Sequence, residues 1–405
     1  MSARGAAMIA TGLDLLLRDI AGLAGRRFGL LAHGASVTAD CVPAHLALAA
    51  AGAPPARLFG PEHGYYGVEQ DMIPSASQRD PWTGVDIVSL YGDDERSLLP
   101  RPEAFAGLDL LLIDLQDIGT RYYTYAATAV WAAEAARAAG CEVWILDRPN
   151  PLGGEAIEGN LPDPGFASFV GAFRLPVRHG LTLGEIVRLE AHRRQWSRYP
   201  KVLAVEGWRR RDLWPATGRP WIAPSPNMPT YETALVYPGL CLLEATELSE
   251  GRGTTRPFLI FGAPDLRPTA LAEALQPLRE MGIAAVPTYF RPQFQKHKGE
   301  VCGGVELVVQ DATKIRAYRL GLEILRAAKS VAPTIFRWRE APYEFVADRP
   351  AIDLLTGSDV FRRALDGDTS TDLQAWLESF AADEQEFREE RREILLYPEE
   401  RSSGK

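Results

Sequence analysis

Short apolar runs recur along the first 150 residues, each stopped by Gly or Pro and followed at once by polar side chains. Arg27–Ala32, Arg57–Phe59, Val85–Leu90, Leu108–Leu115 and Cys141–Leu146 are such runs. Their length and stops predict five buried strands. Leu108–Leu115 is the most hydrophobic and is predicted to be central, because a strand covered on both faces reads as one continuous apolar run. Helical spacing fills the gaps: Leu13–Leu23, Pro43–Ala51 with Pro at its start, and an Ala-rich stretch, Tyr122–Ala139, ended by Gly140. Strands alternating with helices predict a parallel, doubly wound α/β half of Rossmann-like type.

Past Pro151 the pattern changes. Thr182–Arg193 is predicted as a helix, with Thr182 and Glu185 spaced as a capping box. Trp208–Pro229 is rich in Trp and Pro and reads as irregular. Strands follow near 258–261, 284–290 and 305–309, with helices over 270–281, 312–328 and 358–380 and a charged tail from Asp383.

Composition narrows the class. A chain of 405 residues, 46% hydrophobic and 24% charged, suits a globular protein of two domains, or three. A net charge of −9 argues against nucleic acid as a partner. Cys41, Cys141, Cys241 and Cys302 lie too far apart for a zinc or disulfide framework and suggest a reducing compartment. The apolar stretch Ala6–Ala10 is interrupted by Thr11, Gly12 and Asp14, so no export signal is recognised and a cytoplasmic location is expected. No apolar run reaches membrane-spanning length, so no membrane association is expected. Neither a dinucleotide fingerprint nor a phosphate loop follows any strand, which argues against a nucleotide cofactor. Metal-binding spacings and a Gly-x-Ser-x-Gly elbow are missing too, so neither a metal nor any other cofactor is expected.

The chemistry is read at the strand ends, where open α/β sheets hold their ligands. Glu62-His63 follows the Gly60-Pro61 stop, Gln116-Asp117 and Arg121 follow the central strand, and Asp147-Arg148-Pro149-Asn150 follows the fifth. Glycoside hydrolysis usually uses two carboxyl groups. The candidates are Glu62, Glu69, Asp114, Asp117, Asp147, Glu244, Glu247 and Glu250. Each has a structural alternative: Glu62 and His63 as a loop ion pair, Asp114 as a satisfied core group, Asp147 paired with Arg148, Glu250 orienting the loop of Arg252. Arg121, Arg148, Arg178 and Arg252 could converge on an anionic substrate or staple loops. Tyr65, Tyr66, Tyr91, Tyr122, Tyr123 and Tyr125 offer either packing between domains or surfaces for a sugar.

Seven segments carry a family resemblance. They are Phe59-Gly-Pro-Glu-His-Gly, Leu115-Gln-Asp-Ile-Gly-Thr-Arg-Tyr-Tyr-Thr-Tyr, Leu146-Asp-Arg-Pro-Asn-Pro-Leu-Gly-Gly and Arg178-His-Gly-Leu-Thr-Leu-Gly-Glu. Pro224-Ser-Pro-Asn-Met-Pro-Thr, Ser249-Glu-Gly-Arg-Gly-Thr and Lys296-His-Lys-Gly-Glu-Val-Cys-Gly-Gly-Val complete the set. In this order, over about residues 27–365, the chain resembles the exo-β-N-acetylmuramidases of the NamZ type. The resemblance implies a Rossmann-like N-terminal domain, placed at 1–180, and a smaller α+β C-terminal domain, placed at 181–405, with the active site in the cleft between them. It also implies release of terminal N-acetylmuramic acid (MurNAc) from the non-reducing end of peptidoglycan fragments, so MurNAc-containing saccharides are the expected partners. The family's active-site glutamate lands on Glu62. From the strand-end argument, Asp117 is the second catalytic candidate. His63, Gln116, Arg121, Tyr122, Asn150, Arg178, His179, Asn227, Glu250 and Arg252 are the expected substrate contacts. Many relatives are exported, and this chain departs from them in lacking a recognisable signal. A non-catalytic muropeptide sensor and a metal-dependent amidase or deacetylase are the competing readings.

Overall fold

The computed structural model describes residues 8–399 except 71–72, 74–76 and 93–94. Its larger sheet has seven strands: β1 (Phe28–Ala32), β2 (Arg57–Gly60), β3 (Gln78–Arg79), β4 (Asp86–Ser89), β5 (Leu110–Asp114), β6 (Glu142–Leu146) and β7 (Lys201–Leu203). Their order is β3-β4-β2-β1-β5-β6-β7, with all pairs parallel except β3 with β4. Without the antiparallel edge strand β3, this is the doubly wound order of a dinucleotide-binding sheet, and the chain switches direction between β1 and β5. The sheet runs to residue 203, past the division expected at 180.

The apolar runs are continuous because both faces are covered. Leu30, Leu58, Leu110 and Leu112 pack on one side with Leu13 and Leu16 of α1 (Gly12–Arg18) and Leu48 of α2 (Ala44–Ala50). Leu31, Phe59, Leu111 and Ile113 pack on the other with α3 (Tyr125–Ala138) and α4 (Leu183–Arg193). Alternate residues of one strand thus serve two cores. The expected Thr182–Glu185 capping box is present at the start of α4.

The smaller, antiparallel sheet has the order β8-β10-β9, from β8 (Ile260–Ala263), β9 (Ile283–Phe290) and β10 (Cys302–Val309). Around it lie α5 (Tyr231–Leu240), α6 (Pro268–Ala274), α7 (Ala317–Val331), α8 (Ala351–Thr356), α9 (Val360–Leu365) and α10 (Leu373–Arg391). Gly239 and Gly321 let α5 and α7 cross backbone to backbone; a Cβ on either would collide with the main chain of the other helix. One continuous apolar core joins this region to the α3 face of the larger sheet.

Several expected elements differ. The long helix expected over 358–380 is two, α9 and α10, because Gly367 at φ +89° turns the chain and Asp368 holds the corner through Arg363 and Ser370. The helix expected from 312 starts at Ala317, behind a short turn. Helix α5 was not expected: Pro238 lies inside it, and the Pro-rich run before it reads as loop.

The C-terminal segment returns to the first sheet. Tyr397 Oη donates to Asp147 Oδ2 at 2.6 Å and accepts from the Val205 amide at 2.7 Å. Glu185 Oε1 accepts from the Leu396 amide, and Arg210 Nε donates to the Tyr397 carbonyl.

Candidate active site

At the end of β2, Gly60 permits a tight reversal, since a Cβ there would strike the Tyr65 amide. Pro61, Glu62, His63 and Gly64 form the turn, closed by the Gly64 amide on the Pro61 carbonyl, with His63 at φ +68°. A left-handed non-glycine residue costs about 1–3 kcal/mol and persists where its surroundings fix it. The His63 ring does part of that through Nδ1 and the Glu69 carbonyl, 3.1 Å apart. The turn sends Glu62 inward, 5% exposed, where Oε2 accepts from Thr124 Oγ1 at 2.6 Å.

Glu62 opens on a narrow cavity of about 40 Å³. The first domain contributes His63, Tyr122, Tyr123 and Thr124 to its wall, and the segment before α5 contributes Ser225, Asn227 and Met228. Tyr237, Glu244, Arg252, Phe258, Tyr343 and Glu344 close it from the C-terminal region. Burial raises the pKa of Tyr122, Tyr123, Tyr237 and Tyr343, so these rings present protonated phenols. A larger open groove beside Leu275 and Arg319 carries none of the candidate residues, so size alone does not mark the site.

On the C-terminal wall, Glu244 is held from two sides. Arg252 Nη2 donates to Oε1 and Tyr343 Oη to Oε2, each at 2.8 Å. The Arg252 guanidinium also lies over the Phe258 ring, 5.4 Å from its centroid. Behind it, Glu250 pairs with Lys296 at 2.9 Å and lies 3.6 Å from Arg252. Lys296 Nζ donates further to the Leu243 and Leu248 carbonyls.

The structure therefore gathers Glu62, His63, Tyr122, Asn227 and Arg252 on one wall surface. The other expected contacts sit elsewhere, each for a visible reason. Arg121 spends its donors on the carbonyls of Asn160, Leu175 and Leu355. Asn150 ties Leu181 to Leu152. Gln116 donates to the Asp117 and Pro149 carbonyls. Arg178 binds Glu158 and the Leu152 carbonyl and faces a different cavity. Glu250 serves Lys296, as above. These side chains cross-link the loops that carry the site.

Asp117 and His179 form a second buried pair. His179 Nε2 lies 3.7 Å from Asp117 Oδ2, while Nδ1 accepts from the Leu181 amide, which places the ring proton on Nε2. Burial pushes the Asp117 carboxyl up to about 7 and the His179 imidazole down to about 3, so both rest uncharged in mildly acidic solution. His33 behaves alike: burial lowers it to about 3, and it bridges the Gln116 amide to the Pro224 carbonyl across the switch point. Two further candidates are structural. Arg148 grips Asp114 with two hydrogen bonds of 2.6 and 2.9 Å. Asp147 caps α4 through Thr182 Oγ1 and the Gly184 amide.

Glu344 was missed by the sequence reading. It lies in a two-residue hairpin turn, Tyr343 to Val346, whose ends exchange both main-chain hydrogen bonds. Such a turn needs positive φ at both central positions and favours Asn-Gly. Here they are Glu344 at +46° and Phe345 at +68°, so the sequence gives no turn signal.

A Rossmann-type sheet and a second α+β unit closing on an acidic, tyrosine-lined cavity define a two-domain cleft protein of the α/β class. The family profile "Exo-beta-N-acetylmuramidase NamZ, N-terminal" matches residues 28–232, and its C-terminal counterpart matches 235–397. The chain belongs to the NamZ exo-β-N-acetylmuramidase family. It is 37% identical over 398 residues to the peptidoglycan β-N-acetylmuramidase NamZ of Bacillus subtilis (strain 168), covering 96% of this chain and 91% of that protein. Two crystal structures of DUF1343 family proteins from Bacteroides fragilis NCTC 9343 share the fold. They align with TM-scores of 0.82 and 0.75 at 29% and 25% identity, each over 96% of this chain and 99% of the other. Among the described residues, no helix is long and apolar enough to cross a membrane, and no three His, Cys, Asp or Glu side chains gather as a metal site.

Proposed function

We propose that this cleft hydrolyses the bond to a terminal β-linked MurNAc residue at the non-reducing end of peptidoglycan fragments, with Glu62 protonating the leaving oxygen. The observation that carries the reading is the placement of Glu62: buried, oriented by Thr124, and opening on a cavity closed by the C-terminal region. Arg252 supplies a cation for the lactyl carboxylate that distinguishes MurNAc from N-acetylglucosamine (GlcNAc).

The test is incubation with a MurNAc-GlcNAc disaccharide, comparing the wild type with Glu62→Gln. Replacement keeps the shape and removes the proton, so turnover should fall about 10²–10⁴-fold while binding and folding survive. A nitrophenyl muramide, with its better leaving group, should be partly rescued. Near-wild-type turnover of the disaccharide by Glu62→Gln would remove Glu62 from the mechanism. Binding without release by the wild type would instead mark a muropeptide sensor, and loss of turnover with a chelator would point to metal-dependent chemistry.

A further inference from the structure

Three carboxylates line the cavity: Glu62, Glu244 and Glu344. Glu244 has each oxygen engaged, one by Arg252 and one by Tyr343, and its task is to hold the C-terminal wall together. Glycosidases generally need a second carboxyl group besides the acid, on the other side of the anomeric carbon. Asp117, the second candidate from sequence, is not on the cavity wall.

Glu344 has the stronger position. It is 4% exposed and lies on the cavity wall opposite the first domain's contribution. It is presented by a left-handed turn that its own residue types oppose. The flanking side chains account for how the turn is kept. Tyr343 is tethered to Glu244, and the Phe345 ring packs 6.1 Å from Tyr91, just beyond the end of β4. One neighbour grips the second domain and the other grips the first, so the residue between them is delivered to the cleft. Backbone held in an unfavourable conformation by its surroundings is a recurrent property of active sites.

Resting on the muramidase reading above, we infer that Glu344 is a catalytic residue, the carboxylate that faces the anomeric carbon of MurNAc on the side away from the leaving oxygen. A carboxylate there serves an attacking water as base or the carbon as nucleophile. Both roles occupy the same face, and that face is what can be tested.

The geometry also selects the variant. Glu344→Gly removes the carboxylate and puts at φ +46° the one residue that adopts it without strain. The protein should melt no lower than wild type, yet turn over the MurNAc-GlcNAc disaccharide at least a hundredfold more slowly. Added azide should then enter the space left by the side chain. It forms a bond to the anomeric carbon as the glycosidic bond breaks and Glu62 protonates the leaving oxygen, yielding the α-configured muramyl azide. Turnover like wild type, no rescue by azide, or a β-configured azide would each overturn the assignment. The last would mean that the sugar's own acetamido group occupies that face. A wild type unable to cleave the disaccharide would count against the muramidase reading itself, so the two failures are told apart.

Discussion

Thr124 Oγ1 donates to Glu62 Oε2 at 2.6 Å, joining the turn after β2 to the residue that precedes α3. The hydroxyl fixes one carboxyl oxygen and leaves the other for a ligand. Thr124→Val keeps the shape and deletes the donor. If Glu62 acts only when so oriented, the loss is that of a hydrogen bond to the carboxylate that forms as the proton is given up, about 1.5–3 kcal/mol. The expected result is kcat lower by roughly ten- to a hundredfold with KM little changed, and recovery in Thr124→Ser. A change confined to KM would show that the bond positions substrate instead.

The proposed function has Arg252, on the cavity wall, meet the lactyl carboxylate of MurNAc. Arg252→Lys keeps a charge but loses the paired donors. Binding of MurNAc compounds should weaken about tenfold to a hundredfold, equivalent to about 1.5–3 kcal/mol, while GlcNAc analogues change far less. Equal losses for both sugars would place the carboxylate elsewhere.

Asp117 makes a prediction about pH and stability. Its folded value, about 7, lies above the ordinary 3.8, because burial disfavours the anion. The folded state therefore holds a proton that the unfolded chain releases, and stability from this group declines as pH rises from about 4 to 7. Asp117→Asn carries no such penalty. Its melting temperature relative to wild type should climb across that window and level off above it. Parallel curves from pH 4 to 8 would show that the carboxyl is solvated.

The buried Arg148–Asp114 pair should behave asymmetrically. Arg148→Met leaves a fully buried aspartate without its cation and should lower unfolding stability by about 3–5 kcal/mol, measured in urea. Adding Asp114→Leu should restore much of that. An unchanged midpoint in the single variant would mean that Asp114 is neutralised some other way.

Much of this architecture is legible in the sequence, for physical reasons. Five strands announce themselves because both faces of the sheet are covered, so each is apolar throughout and stopped by Gly or Pro. The Pro61–Gly64 turn is legible because a chemically unusual pair follows such a stop. What strand-end position does not reveal is the direction a side chain takes. Arg121 and Asn150 leave neighbouring strands much as Glu62 does, yet they turn to main-chain carbonyls created by loops more than 20 residues away. Glu344 is hidden more deeply. Its turn is imposed by Tyr343 and Phe345 packing on two different domains, and no local residue preference records that. Helix α5 is obscured by Pro238, which tertiary packing tolerates near the helix end.

Tyr397 closes onto Asp147 across 250 residues of chain. During synthesis at about 5–20 residues per second, Asp147 emerges on the order of ten seconds or more before the tyrosine that will seal it. Throughout that interval the nascent first domain has its strands but lacks the phenol that satisfies Asp147 and the Val205 amide. Closure of that contact is thereby tied to synthesis of the segment that carries Tyr397. A chain truncated before Tyr397 should stay soluble for less time and be cleared sooner by proteases than one a few residues longer.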